Sequence, residues 1–373
     1  MGESVHTPKA TLLFFFVCLA CFEFIAAAPT AFVGQVILSG SYSYYEIMIK
    51  LGTPPQVVTL ALDTTIDITT VNTSFDPRKS SSYHSVAGFL SSDTVTLNPT
   101  DGFVPMAPVP LTGIQFVLNP KVDLLALGPG SLAFPAQVST SSGVAKKFAY
   151  CLGQNSAPTP IFFGNTSYHF DSGLPPQSNG SPELDITPFL KFTDLKTPSY
   201  GKHGYAVQIT SIAVDEANNG SVIDVSDVAS IGTEAFYTSI VEPAYTQIRQ
   251  AFLRTPAVGN FQKVNTIFGS LDLCFNFTGR TGDLRSAPVI TFTFDGNTSV
   301  PVTSDNYLVQ VDSTDIYCFG IVSAGPLKGN SVIGTFQQEN NLVEFDLEKQ
   351  RVGLTGSLIG FKSNCANFNF TGF

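Results

Sequence analysis

The side chains that could perform nucleophilic or cofactor chemistry are scattered along this sequence and form no known motif. The pattern G-x-S-x-G, which presents a nucleophilic serine, does not occur, and His84, His169 and His203 have no partner at motif spacing. The segment Gly128-Pro129-Gly130 lacks the Gly-Lys-Ser/Thr ending of a phosphate loop, so we interpret it as a turn. We predict no bound cofactor, and we expect the histidines in loops or on the surface.

The cysteines are the next candidates, either as metal ligands or as disulfides. Two of the six belong to an N-terminal segment with the order of a signal peptide, and the remaining four are Cys151, Cys274, Cys318 and Cys365. No two of these have the C-x2–4-C spacing of a metal site, and none has a histidine at ligand distance in the sequence. An even number of cysteines in an oxidising compartment is typical of disulfides. We therefore predict two disulfides and no metal site.

Residues 1–28 have the order of a secretory signal peptide. Lys9 precedes an apolar run at residues 12–21, and residues 26–28 are alanines that suit a cleavage site. Glu23 interrupts the apolar stretch well before the roughly 20 residues that span a bilayer, which makes a membrane anchor the weaker interpretation. No later segment could span a membrane, and no C-terminal lipid-anchor or retention signal is visible. We predict an extracellular protein without a membrane span in its mature chain, with the vacuole as the alternative.

Glycosylation fits the same compartment. Seven asparagines stand in the pattern N-x-S/T, with x other than proline. They are Asn72, Asn165, Asn179, Asn219, Asn276, Asn297 and Asn369. We predict that some of them carry glycans.

Composition then limits the fold that must position any site. The chain has 373 residues, enough for two domains, and its formal charge of −10 disfavours nucleic acid as a partner. It has 32 Phe, 31 Gly, 24 Pro and no Trp, which indicates many short strands separated by turns. An all-β architecture is predicted.

The local pattern agrees with short strands. Residues 44–50 and 57–62 have strand composition, and the intervening Gly and Pro residues predict a hairpin. Further strands are predicted at 161–163, 205–214, 289–294 and 342–345, and a helix at 243–252, where Tyr245, Ile248 and Phe252 recur at helical spacing. Residues 171–182 are rich in Gly, Pro and Ser and predict a linker. We therefore divide the mature chain into two lobes, residues 29–185 and 186–373.

Several segments resemble a known family. The string YEIMIKLGTPPQVVTLALDTT at 45–65 is similar to the start of a pepsin-family aspartic protease, and FDPRKSSSY at 75–83 resembles its plant nepenthesin-like branch. The strings LDLCF at 271–275 and VIGTFQQENNLVEFDLEKQRVGL at 332–354 extend the resemblance over nearly the whole mature chain. The resemblance implies a bilobal fold of two orthogonally packed β-lobes with a substrate cleft between them and few short helices. It also implies the disulfides Cys151–Cys365 and Cys274–Cys318.

The chemistry of that family requires two aspartates, one from each lobe, that share a proton. One carboxyl group stays protonated and polarises the scissile carbonyl, while the other activates a water molecule. The resemblance places Asp63 as the first aspartate, in Asp63-Thr64-Thr65, where Thr65 replaces the usual glycine. At the second triplet the chain has Gly232-Thr233-Glu234, so the second aspartate is replaced by Gly232.

A competing register is left open for the second aspartate. It places that residue at Asp224, within an apolar-apolar-Asp pattern, but it requires about eight extra residues before the predicted helix. Asp227 is a weaker candidate still. The structural alternative for both residues is an acid in an exposed loop.

Two further features bear on activity. Relatives have a β-hairpin flap after the SSSY segment, but only residues 84–87 separate Tyr83 from Gly88 here, so we expect no hairpin. Thr64 and Thr233 keep the hydroxyls that the family uses to hydrogen-bond across the lobes. The scaffold is therefore expected to persist without the acid pair.

These observations lead to a functional hypothesis with two alternatives. The preferred function is that of a secreted, monomeric pseudoprotease that binds a protein or peptide ligand. The ligand could be a secreted hydrolase, because the xylanase inhibitors of cereals resemble this branch and bind glycoside hydrolases. The first alternative is an active acid endopeptidase that uses Asp63 with Asp224, and the second is a storage or wall-associated glycoprotein.

Overall fold

The structure of this chain is a computed structural model. It covers residue 2 and residues 28–40, 44–72, 74–119, 121–173, 183–199, 203–215, 220–325 and 329–373. The predicted signal peptide, apart from residues 2 and 28, lies outside the described residues. So do residues 174–182 of the predicted linker and the sequons at Asn179 and Asn219.

The first half of the chain, residues 29–185, is built almost entirely of strands. In β2 and β3, side chains alternate between the core and the outer face, as a half-buried sheet requires. The elements are β1 (Ala31–Leu38), β2 (Tyr45–Leu51), β3 (Gln56–Asp63), β4 (Thr70–Val71), β5 (His84–Ala87), β6 (Leu90–Thr100), β7 (Val109–Leu118), β8 (Leu124–Ala126), α1 (Phe134–Ser142), β9 (Lys147–Cys151), β10 (Thr159–Gly164), β11 (His169–Asp171) and β12 (Glu183–Asp185).

The second half, residues 186–373, has the same texture, with three short helices among its described residues. Its elements are β13 (Lys191–Lys196), β14 (Tyr205–Asp215), β15 (Ser221–Ile231), β16 (Thr238–Ile240), α2 (Ala244–Arg254), α3 (Pro256–Gly259), β17 (Gln262–Val264), β18 (Cys274–Asn276), β19 (Val289–Phe294), β20 (Thr298–Val302), β21 (Leu308–Gln310), β22 (Ile316–Phe319), β23 (Ile321–Ser323), β24 (Val332–Ile333), α4 (Thr335–Gln338), β25 (Leu342–Asp346) and β26 (Arg351–Leu354).

The elements predicted from the sequence are present. Strands β2 and β3 form an antiparallel hairpin, in which Glu46 lies opposite Ala61 and Lys50 opposite Val57. Gly52 has a φ of 91°, which the turn between them requires and which a side chain would disfavour. The predicted helix is α2, and its apolar positions Tyr245, Ile248 and Phe252 are buried.

A central sheet joins the two halves. Its strands run in the order β1, β10, β9, β25, β26, β13, and every neighbouring pair is antiparallel. The contact across the halves is the β9–β25 pair, where Phe148 lies opposite Phe345 and their rings stack at 4.7 Å. Both residues are fully buried, so the core is continuous between the halves.

Each half carries one strand that ends at the cleft. Strand β3 pairs in parallel with β8, and β15 pairs in parallel with β24. Strand β3 ends at Asp63, the first residue of the segment Asp63-Thr64-Thr65, and β15 is followed by the segment Gly232-Thr233-Glu234. We call these segments the first loop and the second loop. The same strand arrangement thus positions one loop in each half.

Within the described residues, two disulfides join the pairs that the resemblance implies. Cys151 in β9 is bonded to Cys365, which ties the first half to the C-terminal segment. Cys274 in β18 is bonded to Cys318 in β22, within the second half. Among the described residues, no helix is long and apolar enough to cross a membrane.

Candidate functional site

A cavity of about 640 Å³ opens where the two loops meet, and we call it the cleft pocket. From the first half, the β2–β3 hairpin and the segment leading into β8 line the pocket. From the second half, the second loop lines it. The lining residues are Tyr44, Glu46, Thr59, Ala61, Leu62, Asp63, Lys121, Val122, Asp123, Leu124, Thr233 and Glu234.

The Asp63 carboxylate is held by its own loop. Its Oδ1 accepts hydrogen bonds from the Thr65 backbone N–H at 2.8 Å and from the Thr65 hydroxyl at 2.6 Å. The Asp63 carbonyl accepts from the Leu127 N–H at 2.8 Å, which fixes the end of β3 against the residue after β8. The threonine that replaces glycine therefore supplies an additional donor to the carboxylate.

The two loops are tied together through their threonines. The Thr233 N–H donates to Thr64 Oγ1 at 3.1 Å, and the Thr233 hydroxyl donates to the Leu62 carbonyl at 2.8 Å. The Thr64 hydroxyl donates to Oε2 of Glu234 at 3.2 Å. Thr64 and Thr233 are both buried, so these bonds are shielded from water.

Gly232 lies directly against the first loop and has no space for a side chain. A Cβ atom placed on Gly232 would stand 1.9 Å from Thr64 Oγ1 and 2.5 Å from Glu234 Oε2. Its carbonyl accepts from the Gln338 side-chain Nε2 at 2.9 Å, and Oε1 of the same Gln338 side chain accepts from the Tyr150 hydroxyl at 2.6 Å. The backbone at the expected position of the second aspartate is thus fixed from both halves.

Glu234, the last residue of the second triplet, also lines the pocket. It stands where the family triplet ends in glycine, and its carboxylate folds back into the space beside Gly232. As a result, the pocket contains a carboxylate from each half, Asp63 and Glu234. An acid at a position that normally holds glycine was the available sequence signal.

The competing candidates for the second aspartate lie elsewhere. Asp224 is exposed in the middle of β15, where it is opposite Ser211 and its Oδ1 accepts from the Ser226 hydroxyl. Asp227 accepts from the Ser331 N–H at 2.7 Å. Neither lines the cleft pocket, so the structure does not bring them to Asp63.

The segment at residues 84–92 corrects one expectation. Strand β5 pairs with β6, so a short hairpin does form, with His84 opposite Ser92 and Ala87 opposite Leu90. Gly88 has a φ of 58°, which allows a two-residue turn to join the four-residue strand β5 to β6. The sequence argument assumed that a hairpin needs more residues than are available. Among the described residues, none of this hairpin lines the cleft pocket.

The glycine-rich turn has a structural role beside the first loop. The Gly130 N–H donates to the Asp67 carboxylate at 2.7 Å, and a Cβ atom on Gly130 would collide with Asp67 at 2.4 Å. A Cβ on Gly128 would stand 2.5 Å from the Ile66 carbonyl. The turn prediction is confirmed, and both glycines are needed for this close approach.

The histidines do not form a site. His84 and His203 are exposed, as expected. His169 differs, because it lies in β11 and stacks on Phe103 at 3.5 Å, so it is half-buried rather than free on the surface. Burial lowers the pKa of His169, against a smaller opposing effect of nearby acids. In the described part of the chain, no group of three or more Cys, His, Asp or Glu residues could hold a metal ion.

A buried carboxyl group, that of Glu339, lies between α4 of the second half and β2 of the first. Glu339 follows α4 and is 2% exposed, and its Oε1 accepts from the Tyr45 hydroxyl of the first half at 2.7 Å. Burial raises the pKa of Glu339 to about 8, against the opposing effect of its hydrogen bonds from Tyr45 and Gln154. Glu339 therefore keeps its proton across the mildly acidic range.

Two segments of the chain match known protein families. Residues 82–165 match the family described as Xylanase inhibitor N-terminal, and residues 204–356 match Xylanase inhibitor C-terminal. The chain is a xylanase-inhibitor-like member of the pepsin family. Chitinase CLP of Oryza sativa subsp. japonica is 30% identical over 76% of this chain and 69% of its own.

Other relatives of the pepsin family include proteins with protease names. Aspartyl protease family protein 2 of Arabidopsis thaliana is 28% identical over 88% of this chain and 74% of its own. The solved structure of edgp superposes with a TM-score of 0.75 at 23% identity, and it covers 92% of this chain and 98% of that one. The all-β, bilobal, pepsin-like fold predicted from the sequence is thereby confirmed.

Proposed function

We propose that this protein is a secreted glycoprotein that binds a protein ligand and has little or no peptidase activity. The observation that carries the proposal is the environment of Gly232. Because the Thr64 hydroxyl and the Glu234 carboxylate fill the space around it, no side chain at position 232 could approach Asp63 without displacing them.

The chemical argument concerns the shared proton of an aspartic peptidase. That mechanism uses two carboxyl groups at hydrogen-bond distance with a water molecule between them. Among the described residues, the hydrogen bonds to the Asp63 carboxylate come from Thr65, and no second carboxyl group is hydrogen-bonded to it. An active peptidase that uses Asp224 has no support from the geometry, since Asp224 is exposed on β15.

Features outside the pocket agree with a secreted glycoprotein. All five sequon asparagines within the described residues are exposed or half-buried: Asn72, Asn165, Asn276, Asn297 and Asn369. The two disulfides suit an oxidising compartment. An extracellular or vacuolar location, a protein partner and a monomeric state belong to the same proposal.

The peptidase part of the proposal is tested with denatured haemoglobin at about pH 3 to 4, where aspartic peptidases work. We expect no cleavage by the wild type, and no difference between the wild type and Asp63→Asn. Cleavage that pepstatin blocks and Asp63→Asn abolishes would overturn the proposal. Loss of that cleavage in Asp224→Asn as well would identify the competing register.

The binding part is tested by immobilising the secreted protein and presenting a panel of purified wall hydrolases, xylanases among them. We expect one class of hydrolase to be retained and its activity to fall when the complex forms. Retention of no hydrolase in the panel would favour the storage alternative.

A second candidate function is supported by the two carboxylates in one pocket. Asp63 and Glu234 come from opposite halves, and paired carboxylates are the equipment of glycoside hydrolases. The rice relative carries the name chitinase. Release of sugar from chitin oligosaccharides by the wild type, lost in both Asp63→Asn and Glu234→Gln, would establish this function. An unchanged activity in Glu234→Gln would exclude that acid pair.

A further inference from the structure

We propose that the outer face of the β2–β3 hairpin and the cleft pocket together form a docking surface for a protein segment that presents a Lys or Arg side chain between aliphatic residues. This inference rests on the proposed binding function and names the chemistry of the partner. We call the surface the hairpin face.

The hairpin face follows from strand alternation. In β2, residues Glu46 and Met48 point away from the core, while Ile47 and Ile49 are buried. In β3, Val57 and Thr59 point outward on the same side, because Thr59 lies opposite Met48 and Val57 lies opposite the exposed Lys50. One continuous strip therefore runs from Met48 and Val57 to the pocket.

The far end of the strip is open and presents two aliphatic side chains together with the exposed Lys50, which lies opposite Val57. Met48 is 44% exposed and Val57 is 58% exposed, although both stand in regular strands. Large aliphatic side chains left open beside a cavity are typical of interaction sites. This end can accept the aliphatic residues of a partner.

The near end of the strip is acidic. Glu46, Asp63, Asp123 and Glu234 line the pocket together with a single cation, Lys121. In the described part of the chain, none of these four carboxylates is within ion-pair distance of a Lys or Arg side chain. The excess of negative charge in a concave site favours a cationic side chain and disfavours an acidic one.

The aliphatic side chains at one end of the strip and the carboxylates at the other together favour a protein segment over other charged ligands. A phosphate-bearing ligand is repelled by these carboxylates. A glucosamine oligomer would satisfy the charges but would present no aliphatic groups to Met48 and Val57. A basic side chain flanked by Leu or Val residues fits both ends.

The test uses a fluorescent nonapeptide with one Arg flanked by Leu and Val, and a matched peptide with Glu in place of Arg. We expect the Arg peptide to bind and the Glu peptide to bind at least about tenfold more weakly, with affinity for the Arg peptide falling as salt rises. Equal binding of the two peptides, or no binding of the Arg peptide up to about 1 mM, would overturn the proposal.

Variants locate the site. The double variant Glu46→Gln/Glu234→Gln should weaken binding of the Arg peptide about tenfold, while Asp224→Asn, an exposed acid on β15, should change it less than about twofold. Met48→Ser/Val57→Ser should weaken it about fivefold. Its matched control is Val222→Ser, whose parent side chain is 71% exposed on β15. Similar losses in the variants and their controls would refute the site.

Two further readouts separate this inference from the function on which it rests. Mass spectrometry of the peptide after incubation shows whether it is cleaved, and cleavage would overturn the non-peptidase proposal while leaving the docking surface in place. Binding of glucosamine oligomers with the same dependence on Glu46 and Glu234, without binding of the Arg peptide, would overturn the docking proposal and leave the non-peptidase proposal intact.

Discussion

The first and second loops occupy equivalent places in the two halves, yet they have diverged in opposite ways. The first loop keeps its acid, Asp63, and has Thr65 where the family has glycine. The second loop has Gly232 where the resemblance implies an aspartate, and it has an acid at Glu234 where the resemblance implies glycine. Both keep the central threonine, and the threonines still bond across the halves.

This difference teaches which interactions the fold itself requires. The threonine bonds and the Gln338 amide hold the backbones of both loops, and they need no aspartate at position 232. The acid pair serves chemistry and contributes repulsion in a partly buried site. These bonds therefore hold both loops in a chain that has glycine at position 232.

The largest effect on the free energy of unfolding is expected from the Cys151–Cys365 disulfide, which joins the first half to the C-terminal segment. Replacing Cys151 and Cys365 by Ser opens a loop of 214 residues and should lower the free energy of unfolding by about 5 kcal/mol in the chain-entropy model. The Cys274 and Cys318 pair closes 44 residues and should contribute about 4 kcal/mol. Denaturant titrations followed by far-UV circular dichroism measure both, because the chain has no Trp. A larger loss of stability on removing the Cys274–Cys318 disulfide than on removing Cys151–Cys365 would contradict this order.

The next effect comes from Glu339, which meets Tyr45 across the halves. Its pKa in the folded protein, about 8, lies above the ordinary 4.5, so the folded chain retains a proton that the unfolded chain has released. Stability from this group is complete below pH 4.5 and is lost as the pH rises toward 8. The free energy of unfolding should fall by about 3 kcal/mol between pH 4.5 and 7.

Glu339→Gln should remove most of that pH dependence, since a neutral amide can still accept from the Tyr45 hydroxyl. Denaturant titrations at several pH values provide the measurement, with Asp224→Asn as the control for an exposed acid. An unchanged slope in Glu339→Gln would show that another group is responsible.

A smaller effect is expected at the contact between the loops. Gly232→Ala should lower the free energy of unfolding by about 2 kcal/mol, because the new methyl group overlaps the Thr64 hydroxyl. In a Thr64→Ala background that hydroxyl is absent, and the additional loss should fall below about 1 kcal/mol. A double-mutant cycle measures the coupling, and additive losses would mean that the second loop moves freely away from the first.

The smallest effect is expected on activity. The triple variant Thr65→Gly, Gly232→Asp, Glu234→Gly restores both triplets, but the hairpin at residues 84–92 is short and does not line the pocket. Positioning of the peptide can account for roughly 7 to 11 kcal/mol of a barrier, so a restored pair should remain slow. We expect at most trace cleavage of denatured haemoglobin at acidic pH. Robust cleavage would show that the residues at positions 65, 232 and 234 alone account for the difference from an active peptidase.

Sequence reasoning reached the features that are encoded locally or by a family motif. The β2–β3 hairpin follows from strand residues separated by Gly and Pro, and the two disulfide pairs follow from the family resemblance. The short hairpin at 84–92 was wrongly excluded, because its two-residue turn depends on the positive φ of Gly88. The rotamer of Glu234 is set by contacts with Thr64, 170 residues away, which no local pattern encodes.

The β9–β25 pairing also determines when the molecule can finish folding. Strand β9 is complete once residue 151 has been made, but its partner lies at residues 342–346, close to the end of the chain. Until that segment leaves the ribosome, β9 presents one unpaired strand edge, which other chains can join. The first half is therefore exposed to misassembly during most of the synthesis of the second half. A chaperone that covers extended edges would act in that interval.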